Sequence, residues 1–200
     1  MNIYIDFDGT IFDIDSLNND FIKIFNNIDN NYIKSLIKKY KNYYIVTNIL
    51  IKDYHLENNY IDKVNNLFQN NYIYKDAITF LEKYYQKYNL ILLTYSNSIE
   101  YQKKKINSSN IDKYFKDIII TTKDKSKLDN IDYQNGIFID NNPYELKKLY
   151  NKNILNIIRI NHINDTYHKE KTFNNTKEYQ DFIELINNKH IEKIGENIYE

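Results

Sequence analysis

The chain contains no cysteine. Disulfides, thiolate nucleophiles and cysteine-ligated zinc are therefore excluded. Its histidines, His55, His162, His168 and His190, lack the short ligand spacings of a zinc site. Lysine plus arginine and aspartate plus glutamate number 27 each, so the formal net charge is zero. That balance gives no support for a general nucleic-acid or membrane-surface binder. No stretch approaches 18 consecutive apolar residues, so no bilayer span is expected. The Met1–Asp6 start has no basic region, and Asp6 and Asp8 interrupt its apolar run. It reads as no secretory signal, and a cytoplasmic location is expected. There is one proline, Pro143, and one arginine, Arg159. Isoleucine, asparagine, lysine and tyrosine make up more than half of the chain. Lysine stands where arginine might, asparagine fills loops and helix surfaces, and the Lys103-Lys104-Lys105 run reads as a solvated helix face.

Hydrophobic residues at 42% of the 200 are enough to bury a real core. The length suits one ordinary domain, or a core domain carrying a small lid. Asn2 to Asp6 reads as a short strand ended by a turn at Asp8-Gly9-Thr10. From Ser16 to Asn71 apolar residues recur at three- and four-residue spacing, as in Leu17, Phe21, Ile24 and Ile28. That segment is expected to be helical, with Tyr43–Val46 as a possible strand fragment. Asp76 to Tyr88 is a helix that Asp76 can cap. Leu90–Thr94 is a continuous apolar strand. Asn97 and Glu100 resemble a capping box for a helix over Ser98–Asn107. Further strands are expected at Ile118–Thr121, Gly136–Asp140 and Ile154–Ile160. Further helices follow Pro143 to about Asn151 and over Glu178–Asn188.

Strands alternating with helices predict an α/β fold, a Rossmann-like parallel sheet with helices on both faces in three layers. Ligands in such sheets sit at the carboxyl ends of the strands. The reactive side chains fall there: Asp6 and Asp8 after the first strand, Thr94 at the second, Lys123, Lys125 and Lys127 after the third, Asp140 at the fourth.

This arrangement resembles the haloacid dehalogenase-like (HAD) superfamily over almost the whole chain. Ile5-Asp6-Phe7-Asp8-Gly9-Thr10 matches its Asp-x-Asp-Gly-Thr signature. Leu90–Thr94 is similar to its strand ending in threonine. Gly136–Asp140, followed by Asn141-Asn142-Pro143, is similar to its strand ending in paired acids. The resemblance implies a Mg²⁺-dependent phosphomonoesterase with Asp6 as nucleophile and Asp8 as general acid and base. It implies Mg²⁺ ligands Asp6, the Asp8 backbone carbonyl and Asp140. It also implies phosphoryl contacts from Gly9, Thr10, Thr94 and Tyr95, and a charge-neutralising lysine. Lys125 is preferred for that lysine, with Lys123 and Lys127 as alternatives. Dehalogenases lack a second aspartate at the Asp8 position. A core domain of residues 1–15 and 72–200 with a helical cap of residues 16–71 is expected.

The sequence departs from the family where Asn141 replaces a second acid. Glu145, five residues after Asp140, is a candidate substitute or else only a helix N-terminal charge. The expected substrate is a small phosphoester of the nucleotide or sugar phosphate class. The alternatives are a nucleic-acid end-processing phosphatase, or a binding module with weakened catalysis. Arg159 is read as the partner of an acid rather than a site residue.

Overall fold

The computed structural model describes residues 1–129, 131–154, 156–173 and 176–198. Its strands are β1 (Asn2–Ile5), β2 (Asn89–Tyr95), β3 (Asp117–Thr121), β4 (Ile137–Asp140), β5 (Ile157–Ile160) and β6 (Lys177–Tyr179). They form a 6-stranded sheet in the order β3-β2-β1-β4-β5-β6, and every pairing is parallel. β1 lies between β2 and β4, where the strand order changes direction, so the residues that leave its carboxyl end enter the crevice where such folds bind ligands.

Between β1 and β2 come α1 (Ile14–Ile24), α2 (Asn30–Tyr40), α3 (Tyr43–Tyr54), α4 (Asn59–Leu67) and α5 (Lys75–Tyr84). Acids and amides start three of them. Asp13 accepts from Ser16 N, Asp29 from Asn31 N, and Asn42 from Tyr44 N and Ile45 N. Tyr43–Val46 is thus the first turn of α3, not a strand. Scarce glycine shows at the helix ends: Lys41 and His55 adopt the left-handed conformation at φ 49 and 52 as C-caps. The remaining helices are α6 (Ile99–Ser108), α7 (Pro143–Tyr150), α8 (Phe182–Asn187) and α9 (His190–Ile198). Among the described residues no helix is long and apolar enough to cross a membrane.

Strand alternation sorts the core into two layers. Ile3, Ile5, Leu90, Leu92, Ile137, Ile139, Ile158 and Ile160 face one cluster, which also takes Phe80 and Tyr84 of α5, Phe182 of α8 and Leu17 and Phe21 of α1. Tyr4, Ile91, Leu93, Phe138 and Ile157 face the other, covered by Leu146 and Leu149 of α7. Burial of both faces explains why the strands read as unbroken apolar runs.

Four local expectations are corrected. Tyr74, not Asp76, is the N-cap of α5; the Asp76 carboxylate instead accepts from Phe182 N at 2.9 Å and pairs with His162 at 3.1 Å. α6 starts after Ser98 with no side-chain cap, and Glu100 pairs with Lys103 rather than closing a capping box. The fifth strand is only Ile157–Ile160; Leu155, within the expected span, lies outside the described residues. Glu178 sits in β6, and the helix begins only at Phe182 behind the Asp181 cap. β6 is a three-residue edge strand with two exposed positions, so backbone pairing to β5 specifies it and apolar periodicity does not.

Candidate active site

Asp6 extends β1 by one residue: its N–H donates to Ile139 O of β4 at 2.9 Å. Its carboxylate therefore emerges beside that of Asp140, the last residue of β4. After β3 the chain makes a tight turn at Lys125–Lys127, in which Asp124 accepts from Ser126 N. Tyr133 donates to the Lys125 carbonyl at 2.5 Å. This turn aims Lys125 inward. Its ammonium lies 2.5 Å from Asp6 Oδ1 and 2.7 Å from Asp140 Oδ2, and all three residues are buried. Lys123 and Lys127 are exposed, so the structure places Lys125, among the three candidates, against the two acids.

One ammonium does not neutralise two carboxylates. Burial pushes the Asp6 carboxyl up to about 7; Lys125 opposes the rise, and the charges of Asp140 and Asp8 add to it. A buried negative surplus with hard oxygen donors on two adjacent strand ends fits Mg²⁺, which is usually held by one or two carboxylates plus waters or phosphate oxygens. Among the described residues no group of three or more acidic or histidine side chains gathers to hold a metal. The donor set thus fits an open site and not an all-protein cage.

The Asp8 carboxylate is held differently. Lys105 Nζ lies 2.6 Å from its Oδ1 and 2.7 Å from its Oδ2. Gln102 Nε2 donates to Asp8 Oδ2 at 2.9 Å and to Thr94 Oγ1 at 3.1 Å. Gln102 and Lys105 are 1% and 3% exposed. The reading of Lys103-Lys104-Lys105 as a solvated face is therefore corrected for Lys105. A signal was available: Tyr101, Lys105 and Ile106 occupy the buried stripe of α6, and a lysine at an apolar-stripe position is rare unless paired. Lys104, one residue earlier, is exposed and donates to Asn65 at 2.8 Å and to Tyr44.

The turn after Asp8 depends on Gly9, at φ +84. A Cβ there would meet Asn141 Nδ2 at 2.1 Å and Asp165 Oδ2 at 2.7 Å. Thr10 Oγ1 accepts from Asn141 N at 2.9 Å and donates to Asn141 Oδ1 at 3.3 Å. Asn141 Nδ2 donates to Asp165 Oδ2 at 2.7 Å. Burial raises the Asp165 carboxyl against the pull of the Tyr167 N–H and the Asn141 amide. Asp165, far from the signature in sequence, was not anticipated.

Glu145, the proposed substitute acid, is turned to Lys148 at 2.5 Å. It takes the local helix-surface role, since a partner three residues on is always in reach. Tyr95 is 40% exposed, donates to Asn97 at 2.6 Å, and alternates onto the face of the strand opposite Thr94. The structure does not bring it to Asp6. Arg159 is fully buried and pairs with Glu178 at 3.1 Å. It also donates to the carbonyls of Asn141 at 3.2 Å and Tyr167 at 2.6 Å, which ties the post-β4 turn to the post-β5 loop.

No family model and no curated protein matches the sequence. Solved structures do match the fold. YfnB from Bacillus subtilis, provisionally named a HAD-hydrolase and described as bound to magnesium, aligns over 95% of this chain and 97% of its own at 18% identity and TM-score 0.63. A Thermotoga maritima protein provisionally named β-phosphoglucomutase aligns over 95% and 99% at 13% identity and TM-score 0.69. The L-2-haloacid dehalogenase of Xanthobacter autotrophicus aligns over 84% and 79% at 12% identity and TM-score 0.57. With its parallel sheet, and with Asp6, Thr94, Lys125 and Asp140 near the carboxyl ends of successive strands, the chain has the fold of the haloacid dehalogenase-like hydrolases.

Proposed function

We propose that the chain is a phosphomonoesterase acting on a small phosphorylated metabolite, of the nucleotide or sugar phosphate class, through an aspartyl-phosphate on Asp6. The observation that carries this reading is Lys125 seated between Asp6 and Asp140, with Asp8 on the same turn. A carboxylate is a competent nucleophile toward phosphorus only where opposing charge is screened. Lys125 supplies one positive charge in a buried setting, where its effect on a developing phosphoryl charge is largest. Mg²⁺, held by Asp6, Asp140 and the Asp8 carbonyl, supplies the remaining neutralisation when bound. Thr94 donates toward the phosphoryl oxygens, and Gly9 and Thr10 form the turn around them. Asp8 exchanges the proton with the leaving alcohol and then with water. A second carboxylate at this position distinguishes the reading from dehalogenation, the activity named for several structural neighbours. We assign α1–α4 as a lid over the strand ends, which excludes water and shapes specificity. Asn42 at the start of α3 reaches Ser98 at the start of α6 at 3.3 Å, which ties the two segments at one edge.

The test is release of phosphate from p-nitrophenyl phosphate and from a panel of phosphorylated metabolites, with and without Mg²⁺. Mg²⁺-dependent activity that vanishes in Asp6→Asn supports the proposal. Chloride release from 2-chloropropionate without phosphatase activity overturns it.

A further inference from the structure

α6 is a polar helix with an unusual buried face. Tyr101 packs edge-on against Tyr43, Tyr44 and Phe68 of the α3–α4 region, at centroid distances of 5.7, 6.2 and 6.0 Å. Next to it, two long polar side chains, Gln102 and Lys105, are withdrawn from water. Burying an ammonium and an amide costs free energy unless each is matched by partners. The partners of the ammonium are both oxygens of Asp8. Those of the amide N–H group are Asp8 Oδ2 and the Thr94 hydroxyl.

We infer that Gln102 and Lys105 are positioning residues that fix the Asp8 carboxylate, and the Thr94 hydroxyl with it, for proton exchange at Asp8 Oδ1. The inference rests on the phosphatase reading and deepens it. A carboxylate has about four acceptor sites. Lys105 takes one on each oxygen, and Gln102 takes a second on Oδ2. The remaining site is on Oδ1. With an ammonium on both oxygens and an amide on Oδ2, the Asp8 carboxylate is held in one orientation with Oδ1 left to exchange the proton. Its task is clearest in the second half-reaction. Water attacks the phosphorus of the Asp6 acyl phosphate, and the bond between phosphorus and the Asp6 oxygen breaks with its electron pair returning to Asp6. The proton lost by water passes to Asp8 Oδ1, and inorganic phosphate leaves. Before that, an Asp6 oxygen bonds to phosphorus, the bond between phosphorus and the alcohol oxygen breaks with its electron pair going to that oxygen, and the oxygen takes its proton from Asp8; nitrophenolate, a weak base, leaves without one.

Lys105→Met and Gln102→Met remove the contacts while keeping volume and stem packing. With p-nitrophenyl phosphate and Mg²⁺, the expected result is a fall in kcat of roughly 10²-fold for Lys105→Met and about 10-fold for Gln102→Met, the scale of positioned acid–base catalysis. KM should move by less than about 3-fold, a split that uniform loss of binding does not give. Because hydrolysis of the phosphoenzyme slows most, rapid mixing should show a burst of nitrophenolate approaching one per chain, absent or smaller in the parent. Lys105→Arg should recover part of kcat. Retention of kcat within about 2-fold in both folded variants overturns the inference. So does loss of turnover in proportion to loss of folded protein, read by circular dichroism, with no burst. If Lys105→Met does not fold, Gln102→Met decides by the same criteria. An inactive parent chain overturns the phosphatase reading together with this one. An active parent that loses activity in Asp6→Asn upholds that reading, and leaves the Gln102 and Lys105 variants to decide the inference alone.

Discussion

Asn141 and Asp165 face each other as a donor–acceptor pair at 2.7 Å, across the top of the glycine turn. This pair changes what a second acid after Asp140 would do. In Asn141→Asp, two carboxylates meet inside a mostly buried cluster, and one must take up a proton or move. Asn141→Asp alone is expected to lower stability by about 1–3 kcal/mol, the cost of leaving a buried polar group mispaired. Asn141→Asp with Asp165→Asn restores a matched pair and should recover most of it. The double variant should also bind Mg²⁺ more tightly than the parent, because a negative charge has moved to the residue next to Asp140. Thermal denaturation and titration calorimetry on the single and double variants check both parts; unchanged or weaker Mg²⁺ binding in the double variant refutes the second.

Lys125 is the counter-ion of two buried carboxylates, so its removal should be felt in the fold as well as the chemistry. Lys125→Met is expected to cost about 3–5 kcal/mol at neutral pH without metal, because breaking a buried pair leaves uncompensated charge. Its kcat/KM for phosphoester hydrolysis should fall by at least about 10²-fold. Chemical denaturation and steady-state kinetics measure the two effects. Near-parent stability would show that the acids are neutral or solvated without it.

Gly9 is conformationally and sterically required. Gly9→Ala forces a Cβ to 2.1 Å from Asn141 Nδ2 in a backbone at φ +84. Left-handed strain of about 1–2 kcal/mol adds to the displacement of the Asn141–Asp165 pair. The variant should be less stable by about 2–4 kcal/mol and poorly active. Gly136 offers a contrast: its conformation is ordinary, and the obstacle to a Cβ is contact with Asp132 O and the Tyr4 ring at 2.7 Å. Melting temperatures of Gly9→Ala, measured with and without Asn141→Ala, separate strain from clash.

Asp76 ties α5 to α8 and to the loop after β5. Burial alone would raise its carboxyl; the His162 ring and the Phe182 N–H outweigh burial and hold it below the usual carboxylate range. A depressed folded-state value means that the carboxylate stabilises the fold above the unfolded value of about 3.9. That contribution is lost as pH falls through the lower folded value. Asp76→Asn should therefore be less stable than the parent at pH 6, with the gap narrowing toward pH 3. Urea midpoints across that range test it; a gap that stays constant or widens on acidification contradicts the assignment.

Much of the architecture is written locally. Short apolar runs, separated by helical periodicity, foretell parallel strands covered on both faces, because runs such as Ile3-Tyr4-Ile5 and Leu90–Leu93 leave no polar side to face water. Asp6, Asp8, Thr94 and Asp140 are legible by their place at strand ends. Glu178 and β6 were missed because an exposed edge strand carries no periodic signal. Asp76 misled as a cap because an acid near a helix start has a good local role, whereas its partners here come from His162 and Phe182.

Within its own order of residues, this protein determined a sheet whose strands end in acids and a threonine, since periodicity and burial act along the chain. Only the folded molecule decided which charges meet. Three lysines follow β3 and three stand in a row on α6, all alike in sequence. The turn at Asp124–Lys127 carries Lys125 inward, and the helical stripe shared with Tyr101 does the same for Lys105. A buried ammonium is tolerated only where the fold supplies a carboxylate to meet it, and that matching joins residues 97 and 119 positions apart.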